Sequence, residues 1–313
     1  MDAEPTSVLR PAARISWTPK RVAGAAAHRA GGYLMVAPAV GLIGAFLFGP
    51  IAVSIWTSLT NEALTGVHAF AWNYVGLGNY KELFADPEFR HSIQISAIYV
   101  ALSAVVGQTG VGLLVAYLGR RHTHRFVIRF VGAGMVIAWV IPEVVVAFIW
   151  FAFAAQGGTL DKALGVFGAA NADWLIRFPL ILVCIATTWG GAALSMLIFT
   201  AGLRGIPDEV IEAATVDGAR TAQRIWQVEL PILKRTIAVN LILVTLGTLT
   251  DFTLIYTLTG GGPGDATQTI PQYVYQQTLS FAQLGYGNAA AVMLLAFAAL
   301  ASLLYVRLLR VEV

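Results

Sequence analysis

Charge is scarce in this chain. Of its 313 residues only 12% are Asp, Glu, Lys or Arg, and 57% are hydrophobic. Soluble domains carry about 25% charged residues. The chain lacks the polar surface to cover itself in water and reads as an integral membrane protein. Cysteine is nearly missing: Cys184 stands alone inside an apolar run. That excludes a disulfide within the chain and leaves the thiol as a small packing residue. The five histidines are scattered without metal-ligand spacing, so no metal site is expected. A phosphate-binding loop ending in Gly-Lys-Ser/Thr is absent, so ATP is not bound by that device. No His-Glu-x-x-His string and no convincing Ser/His/Asp set is present, which argues against a membrane-embedded enzyme. Basic runs that would suggest nucleic acid are also lacking.

What the chain does have is long uncharged runs. Inside lipid only helices and closed barrels satisfy the backbone, and these runs have the length of helices. A span needs roughly 20 apolar residues. Six candidate spans follow, at about 33–59, 92–118, 130–155, 174–203, 236–258 and 287–306. The fold expectation is an all-α integral membrane protein with six transmembrane helices. Pro38 and Pro50 sit near the two ends of the first span. One acid, Glu143 after Pro142, lies in the third span, and one, Asp251, in the fifth. Residues 1–32 form a basic tail carrying Arg10, Arg14, Lys20, Arg21 and Arg29. The apolar run behind this tail is longer than the roughly 7–15 residues of a signal-peptide core, so a retained, cytoplasmic tail is expected.

Topology follows from where the positive charge sits, since Lys and Arg concentrate in cytoplasmic loops. The tail, the Arg120–Arg129 loop, the Arg204–Arg235 loop and the C-terminus hold all but four of the twenty basic residues; only Lys81, Arg90, Lys162 and Arg177 lie in the alternate loops. Both termini and the 205–231 segment are therefore expected in the cytoplasm of a bacterial cell, with the chain crossing the inner (plasma) membrane several times.

The 205–231 segment, Gly205 to Pro231, is a charged island between two apolar runs. Pro207 suits a first helical turn, and Asp208 and Glu209 suit a helix N-terminus. Val210, Ala213, Ala214 and Asp217 recur at helical spacing and share a face. Gly218 lets the chain turn. A second helical stretch with Ala222, Ile225 and Trp226 on one side ends at Pro231. An ordinary amphipathic loop helix would look similar.

The string Glu212-Ala213-Ala214, with Gly218 and Leu230-Pro231 behind it, resembles the EAA motif of binding-protein-dependent ABC importer permeases. The fuller EAATVDGA resembles the sugar-permease version. Val75-Gly76-Leu77-Gly78-Asn79-Tyr80 is similar to that family's GLxNY stretch. Leu258-Thr259-Gly260-Gly261-Gly262-Pro263 is similar to its LTGGGP signature, and Thr267, Tyr273, Gly285 and the run from Gly287 fit the same pattern. The resemblance covers nearly everything after residue 33. It points to the first-permease branch of the carbohydrate-uptake subfamily, near the permeases of maltose, trehalose and glycerol-3-phosphate importers. It implies a type I importer permease fold in which the island is a coupling helix. Glu212, Ala213, Ala214, Asp217 and Gly218, with Arg204, Glu209 and Arg224, would then meet an ATPase. It also implies partners: a second homologous permease in a heterodimer, two cytoplasmic ABC ATPase subunits, and an extracytoplasmic solute-binding protein, which such systems can carry as a lipoprotein. No cofactor is expected on this chain, because ATP and Mg belong to the ATPases. Gly260, Gly261, Gly262 and Pro263 would form an outer loop facing the binding protein or lining the gate; a loop without contacts is the plainer reading.

Polar side chains in spans usually face the bundle interior or a water-filled path. That selects Asp251, Asn240, Thr250, Thr253, Ser195 and Glu143. Sugar recognition also uses aromatic faces, which Phe252, Tyr256 and Trp189 offer. The expected substrate path is therefore Asp251, Phe252, Tyr256, Asn240 and Trp189, with interhelical bonding and packing as the alternative role. There are departures from the family pattern. Thr253, not Asp, follows Phe252; Asp161 ends the Gly158-Thr159-Leu160 stretch where the family often has Asn; and Glu143 is unexpected. The same machinery importing a glycerophosphodiester or another polyol remains open, although no basic residue within the spans favours phosphate. An ion-coupled secondary transporter would need broken helices with paired ionisable groups at mid-membrane; Glu143 and Asp251 could serve, but the EAA loop would then have no purpose.

Overall fold

The computed structural model describes residues 35–120, 125–165 and 173–308; the basic tail and Arg310 lie outside them. Among the described residues the backbone is helical, with one isolated antiparallel bridge between Thr60 and Tyr74. The chain divides into two compact units between Val53 and Ser54. Helix α1, Met35–Thr57, includes that boundary. The second unit contains α2 (Gly78–Ala85), α3 (Pro87–Arg120), α4 (Arg125–Val140), α5 (Glu143–Ala154) and α6 (Thr159–Gly165). It continues with α7 (Pro179–Arg204), α8 (Asp208–Val216), α9 (Thr221–Ile232), α10 (Lys234–Leu249), α11 (Thr253–Thr259), α12 (Ile270–Tyr275) and α13 (Leu284–Leu308). By length and composition five described helices can cross a membrane, or six if α9 and α10, bent by 71°, are one.

The helix ends have local causes. Asp86 caps α3 by accepting from the Glu88 amide at 2.8 Å, and Pro87 takes the first helical position. Pro179 opens α7 in the same way. The apolar run 130–155 is two helices rather than one. Pro142 has no amide to donate and cannot continue a helix, so α4 stops at Val140 and α5 starts at Glu143. The run 236–258 is also divided, between α10 and α11, at Thr250, Asp251 and Phe252. No proline marks that break.

The second unit is patterned inside out. Ser92, Ser96, Ser103, Gln108, Asn240, Thr245 and Thr248 are buried, while Phe130, Val140, Leu300 and Leu303 are exposed. Polar side chains are thus drawn into the bundle beside apolar ones, and large apolar side chains are left outside, as suits a surrounding hydrocarbon medium. Three apolar clusters succeed one another along the bundle. Leu83, Phe89, Ile270, Tyr273, Ala289 and Ala290 form one. Tyr99, Val146, Val183, Leu254 and Leu258 belong to the next, and Ala116, Met196, Phe199, Leu203, Ile206 and Leu233 to the last. The longest contact is α7 along α3. Small residues permit it: a Cβ on Gly112 would lie 2.7 Å from the Met196 amide nitrogen, and one on Gly191 would lie 2.6 Å from Gln108 Cδ. Close backbone approach through small residues is how helices gain dispersion in lipid, where no hydrophobic drive separates them from acyl chains.

Asn79 gives the GLxNY stretch a physical role. Its Nδ2 donates to the Ser58 and Thr60 carbonyls at 2.8 and 2.7 Å, and the Tyr80 hydroxyl bonds to Ser58 Oγ at 2.7 Å. The loop is thereby closed onto the end of α1. Tyr273 supplies a second tie. Its hydroxyl donates to Asp86 Oδ2 and meets the Tyr286 hydroxyl at 3.0 Å, which in turn donates to Asp86 at 3.2 Å. Burial, and then the hydrogen bond to Asp86, hold the Tyr273 phenol well above its ordinary pKa, so it stays a donor. Tyr273→Phe should remove a bond to a charged acceptor, worth about 1.5–3 kcal/mol, and lower the thermal midpoint in detergent. Tyr286→Phe should lower it less, because Tyr273 still serves Asp86. Equal midpoints for Tyr273→Phe and the parent would remove this tie from the account.

Candidate functional site

The charged island folds as α8, a bend and α9. Asp208 and Glu209 occupy the first turn of α8, where acidic side chains suit the helix dipole. Ile211 packs against the Leu203–Ile206–Leu233 cluster, and Ala214 is half-buried. Glu209, Val210, Glu212, Ala213, Val216 and Asp217 are exposed. Of the four residues expected on one face, Val210, Ala213 and Asp217 are outward, and Ala214 is at its edge. Gly218 takes φ +79°. Its amide bonds to the Thr215 carbonyl at 3.1 Å, and the Ala219 amide to the Ala214 carbonyl at 3.0 Å. This pair of bonds is a Schellman C-cap, which needs the left-handed residue that glycine supplies cheaply. Arg224 Nη1 donates to Thr215 Oγ1 at 2.7 Å, tying α9 back onto α8.

Two residues not singled out from the sequence hold this lever to the bundle. Arg120, the last residue of α3, places Nη2 3.5 Å from Asp208 Oδ1 and 3.5 Å from the Ile206 carbonyl oxygen. Its Nη1 lies 3.8 Å from Glu229 Oε2. Glu229 is only 5% exposed. Their separation in sequence left no local signal; only the fold brings them together. Arg204 is exposed and, with Arg120, Arg129 and Asp208, lines a cavity of about 640 Å³ beside the lever.

The two helix breaks meet at a second cavity, of about 230 Å³. Glu143, beside Pro142, and Asp251, between α10 and α11, both line it, as do Gln108, Thr187 and Thr248. Asp251 Oδ2 accepts from the Tyr99 hydroxyl at 2.8 Å, and that hydroxyl also meets Thr187 Oγ1 at 2.8 Å. Asp251 Oδ1 accepts the Leu254 amide at 3.4 Å and so serves one of the unpaired donors that open α11. Gln108 donates to Thr248 Oγ1 at 3.0 Å. It ends a π-helical stretch, Ala101–Gln108, inside α3; such stretches re-aim side chains and recur at functional sites. The cavity lining contains no Lys or Arg. It offers hydroxyl and carboxylate acceptors, amide donors and apolar walls, which suits a neutral polyhydroxyl solute.

The other expected path residues are placed differently. Asn240 is fully buried and donates to Thr109 Oγ1 at 3.0 Å, a bond between α10 and α3. Trp189 sits against Trp150, centroids 6.3 Å apart, and the cavity is lined instead by its neighbours Gly190 and Gly191. Phe252 and Tyr256 stack at 5.0 Å, and Tyr275 joins both at 4.9 and 5.2 Å. Gly260 caps α11 with φ +63°. The loop beyond it, with Gly261, Gly262 and Pro263, is held from within: the Thr267 amide donates to the Gly261 carbonyl at 2.9 Å and its hydroxyl to the Gly262 carbonyl at 3.2 Å. Tyr99, missed in the sequence reading, is the side chain that fixes Asp251. No cluster of three His, Cys, Asp or Glu residues able to hold a metal occurs among the described residues.

Residues 108–310 match the family described as binding-protein-dependent transport system inner membrane component. The chain is 32% identical to the sulfoquinovosyl glycerol transport system permease protein SmoG of Agrobacterium fabrum, covering 89% of this chain and 90% of that one. It is 32% identical to the sn-glycerol-3-phosphate transport system permease protein UgpA of the same organism, over 83% and 87% of the two chains. The trehalose/maltose transport system permease protein MalF of Thermococcus litoralis is also 32% identical, over 85% and 88%. Among solved structures, a bacterial ABC transporter that imports alginate superposes with TM-score 0.73 at 21% identity, covering 93% of this chain and 98% of that one. The same fold recurs, with TM-score 0.75 at 20% identity over 90% and 96%, in an alginate transporter complexed with a pentasaccharide-bound periplasmic protein.

The Arg120 contacts generate a direct test. Arg120→Met leaves Glu229 buried without its cation, a change that costs about 3–5 kcal/mol in comparable pairs. Hydrogen exchange at the backbone amides of 208–219 should speed up in that variant, and Arg120→Met with Glu229→Gln should regain much of the protection. Parent-like exchange in Arg120→Met would show that the lever is held by the apolar cluster alone.

Proposed function

The chain belongs to the family of binding-protein-dependent transport system inner membrane components, and from that premise we propose that it forms half of the translocation path of an ATP-driven importer for a neutral sugar or oligosaccharide. The observation that carries this reading is α8: an exposed EAA helix, clasped at its base by Arg120 and open on the face bearing Glu209, Glu212, Ala213 and Asp217. A helix so held transmits a push and has no other evident task. The partners are a second homologous permease, two ABC ATPases that bind ATP and Mg on the cytoplasmic side, and a binding protein that delivers the solute outside. The chain itself performs no covalent chemistry. The distribution of Lys and Arg supports cytoplasmic termini and a cytoplasmic α8.

The cavity at Glu143 and Asp251 supports the choice of cargo. Sugar hydroxyls donate to carboxylates, whereas a phosphate or sulfonate would meet two acids and no cation. The names of two relatives favour a second reading, a glycerol conjugate bearing an anion; the same lining weighs against it.

ATPase subunits should co-purify with the chain, and transport should fail in the chain reconstituted alone. Gly218→Pro forces φ near −65° where +79° is required; it and Glu212→Arg should abolish uptake while membrane insertion is unchanged. Asp251→Ala should lower uptake of a labelled sugar by about tenfold, in line with the loss of one bond to a charged group, with the complex still assembled. A transport-competent Gly218→Pro variant would overturn the lever role, and normal uptake in Asp251→Ala would take that residue out of the path.

A further inference from the structure

Beyond the aromatic trio Phe252, Tyr256 and Tyr275, and distinct from the Asp251 cavity, lies a cavity of about 330 Å³ roofed by the glycine loop. Small-molecule sites begin at about this size. Its walls are Asp265, Gln268, Gln272, Gln276, Tyr256 and Tyr275, beneath Gly260, Gly261 and Gly264. No aliphatic and no basic side chain lines it. Two of the amides are almost completely buried, Gln268 at 5% and Gln272 at 6% exposure. Gln268 Nε2 donates to Gln276 Oε1 at 2.5 Å, yet Gln268 Oε1 and Gln272 Nε2 have no hydrogen-bond partner. Buried polar atoms are nearly always paired, and each exception calls for a reason. Thr269 Oγ1, between them, is a third such exception, and of the three residues Gln268 and Gln272 line the cavity. The loop lies close over them: a Cβ on Gly261 would lie 2.7 Å from Gln272 Oε1, and the φ of +94° at that position favours glycine.

We propose that this cavity is a second carbohydrate subsite, holding one ring of a neutral sugar among the Asp265 carboxylate and the Gln268, Gln272 and Gln276 amides, with its apolar face against Tyr256 or Tyr275. A hydroxyl is both donor and acceptor, so it can serve amide oxygen and amide nitrogen alike. The Asp265 carboxylate, with no cation in the lining, accepts further hydroxyls and repels anionic cargo. Asp251 and Tyr256 belong to one short segment and line one cavity each, which gives the solute two stations in succession. The proposal rests on the importer reading above and adds a place and a chemistry to it.

The test uses the complete complex, purified with its ATPases in lipid nanodiscs, in a Cys184→Ala background. Ser280→Cys puts a reporter thiol in the exposed rim of this cavity, away from Asp251. Its reaction with N-ethylmaleimide is timed with methyl glycosides of glucose, galactose and mannose, and with glycerol 3-phosphate. At least one glycoside should slow the reaction about fivefold, glycerol 3-phosphate should not, and Gln272→Leu should abolish the protection, as loss of a buried hydrogen-bonding group predicts. Tyr256→Leu is the second variant and should weaken protection without removing the amides. Retained ATPases in both variants establish that the complex is assembled. No protection by any glycoside, in a complex whose ATPases are present and driven by the binding protein, would sink the subsite and leave the importer reading standing. Protection by the docked binding protein alone would make the cavity a protein contact and equally overturn the proposal. A preparation without ATPases would overturn both.

Discussion

One guanidinium joins the ends of several helices. Arg120 ends α3, reaches the start of α8 through Asp208, and approaches Glu229 near the end of α9. A buried carboxylate without a cation costs several kcal/mol, so Glu229 makes the clasp obligatory. The Ile206 carbonyl at the same guanidinium adds the segment leaving α7. The start of α8 is thus joined to the end of α3 and to the segment leaving α7. These are also the two helices packed longest against one another, through glycines that leave no room for sliding apart without loss of contact.

Elsewhere the helices are interrupted, between α4 and α5 and between α10 and α11. Unpaired backbone groups are expensive in lipid and are tolerated only where protein or a water-filled cavity satisfies them. Both breaks comply. After Pro142, the amides of Val145 and Val146 return to the Pro142 carbonyl at 2.9 and 3.1 Å. At the other, Asp251 serves the Leu254 amide with one oxygen and Tyr99 with the other. Asp251 therefore has a structural duty and a cavity-facing position at once. This explains how an acid persists in an apolar run without a basic partner in the cavity.

The sequence carried some of this plainly and hid the rest. Long uncharged runs are legible because lipid imposes length and composition on each helix separately. Gly218 is legible because a left-handed C-cap is a local demand. Asn79 could be matched to a motif, but its reason, closing a loop onto the Ser58 and Thr60 carbonyls, is tertiary. The Pro142 break was visible as a proline yet absorbed into one span, since composition does not change across it. The break at Thr250–Phe252 has no proline or glycine to announce it. Arg120 and Glu229, Tyr99 and Asp251, and Gln268 and Gln272 were beyond reach: each draws its meaning from a partner or a vacancy that only folding supplies. Asn240 and Trp189 show the converse, since polarity or ring size in a span selects candidates without saying which way they point.

The proposed cargo rests on charge more than on shape. Relatives about one-third identical carry names that refer to anionic glycerol conjugates and to neutral disaccharides alike. A scaffold shared across such solutes has to alter selectivity through a few side chains, and repulsion is the economical way, because a misplaced like charge in a desolvated cavity excludes a solute outright. In this chain Glu143, Asp251 and Asp265 face cavities with no Lys or Arg in their linings. An anion entering either cavity gives up water and gains no countercharge. A neutral ring gives up less and recovers it from carboxylate, amide and aromatic partners. The proposed preference for uncharged cargo rests on what the linings contain and on what they leave out.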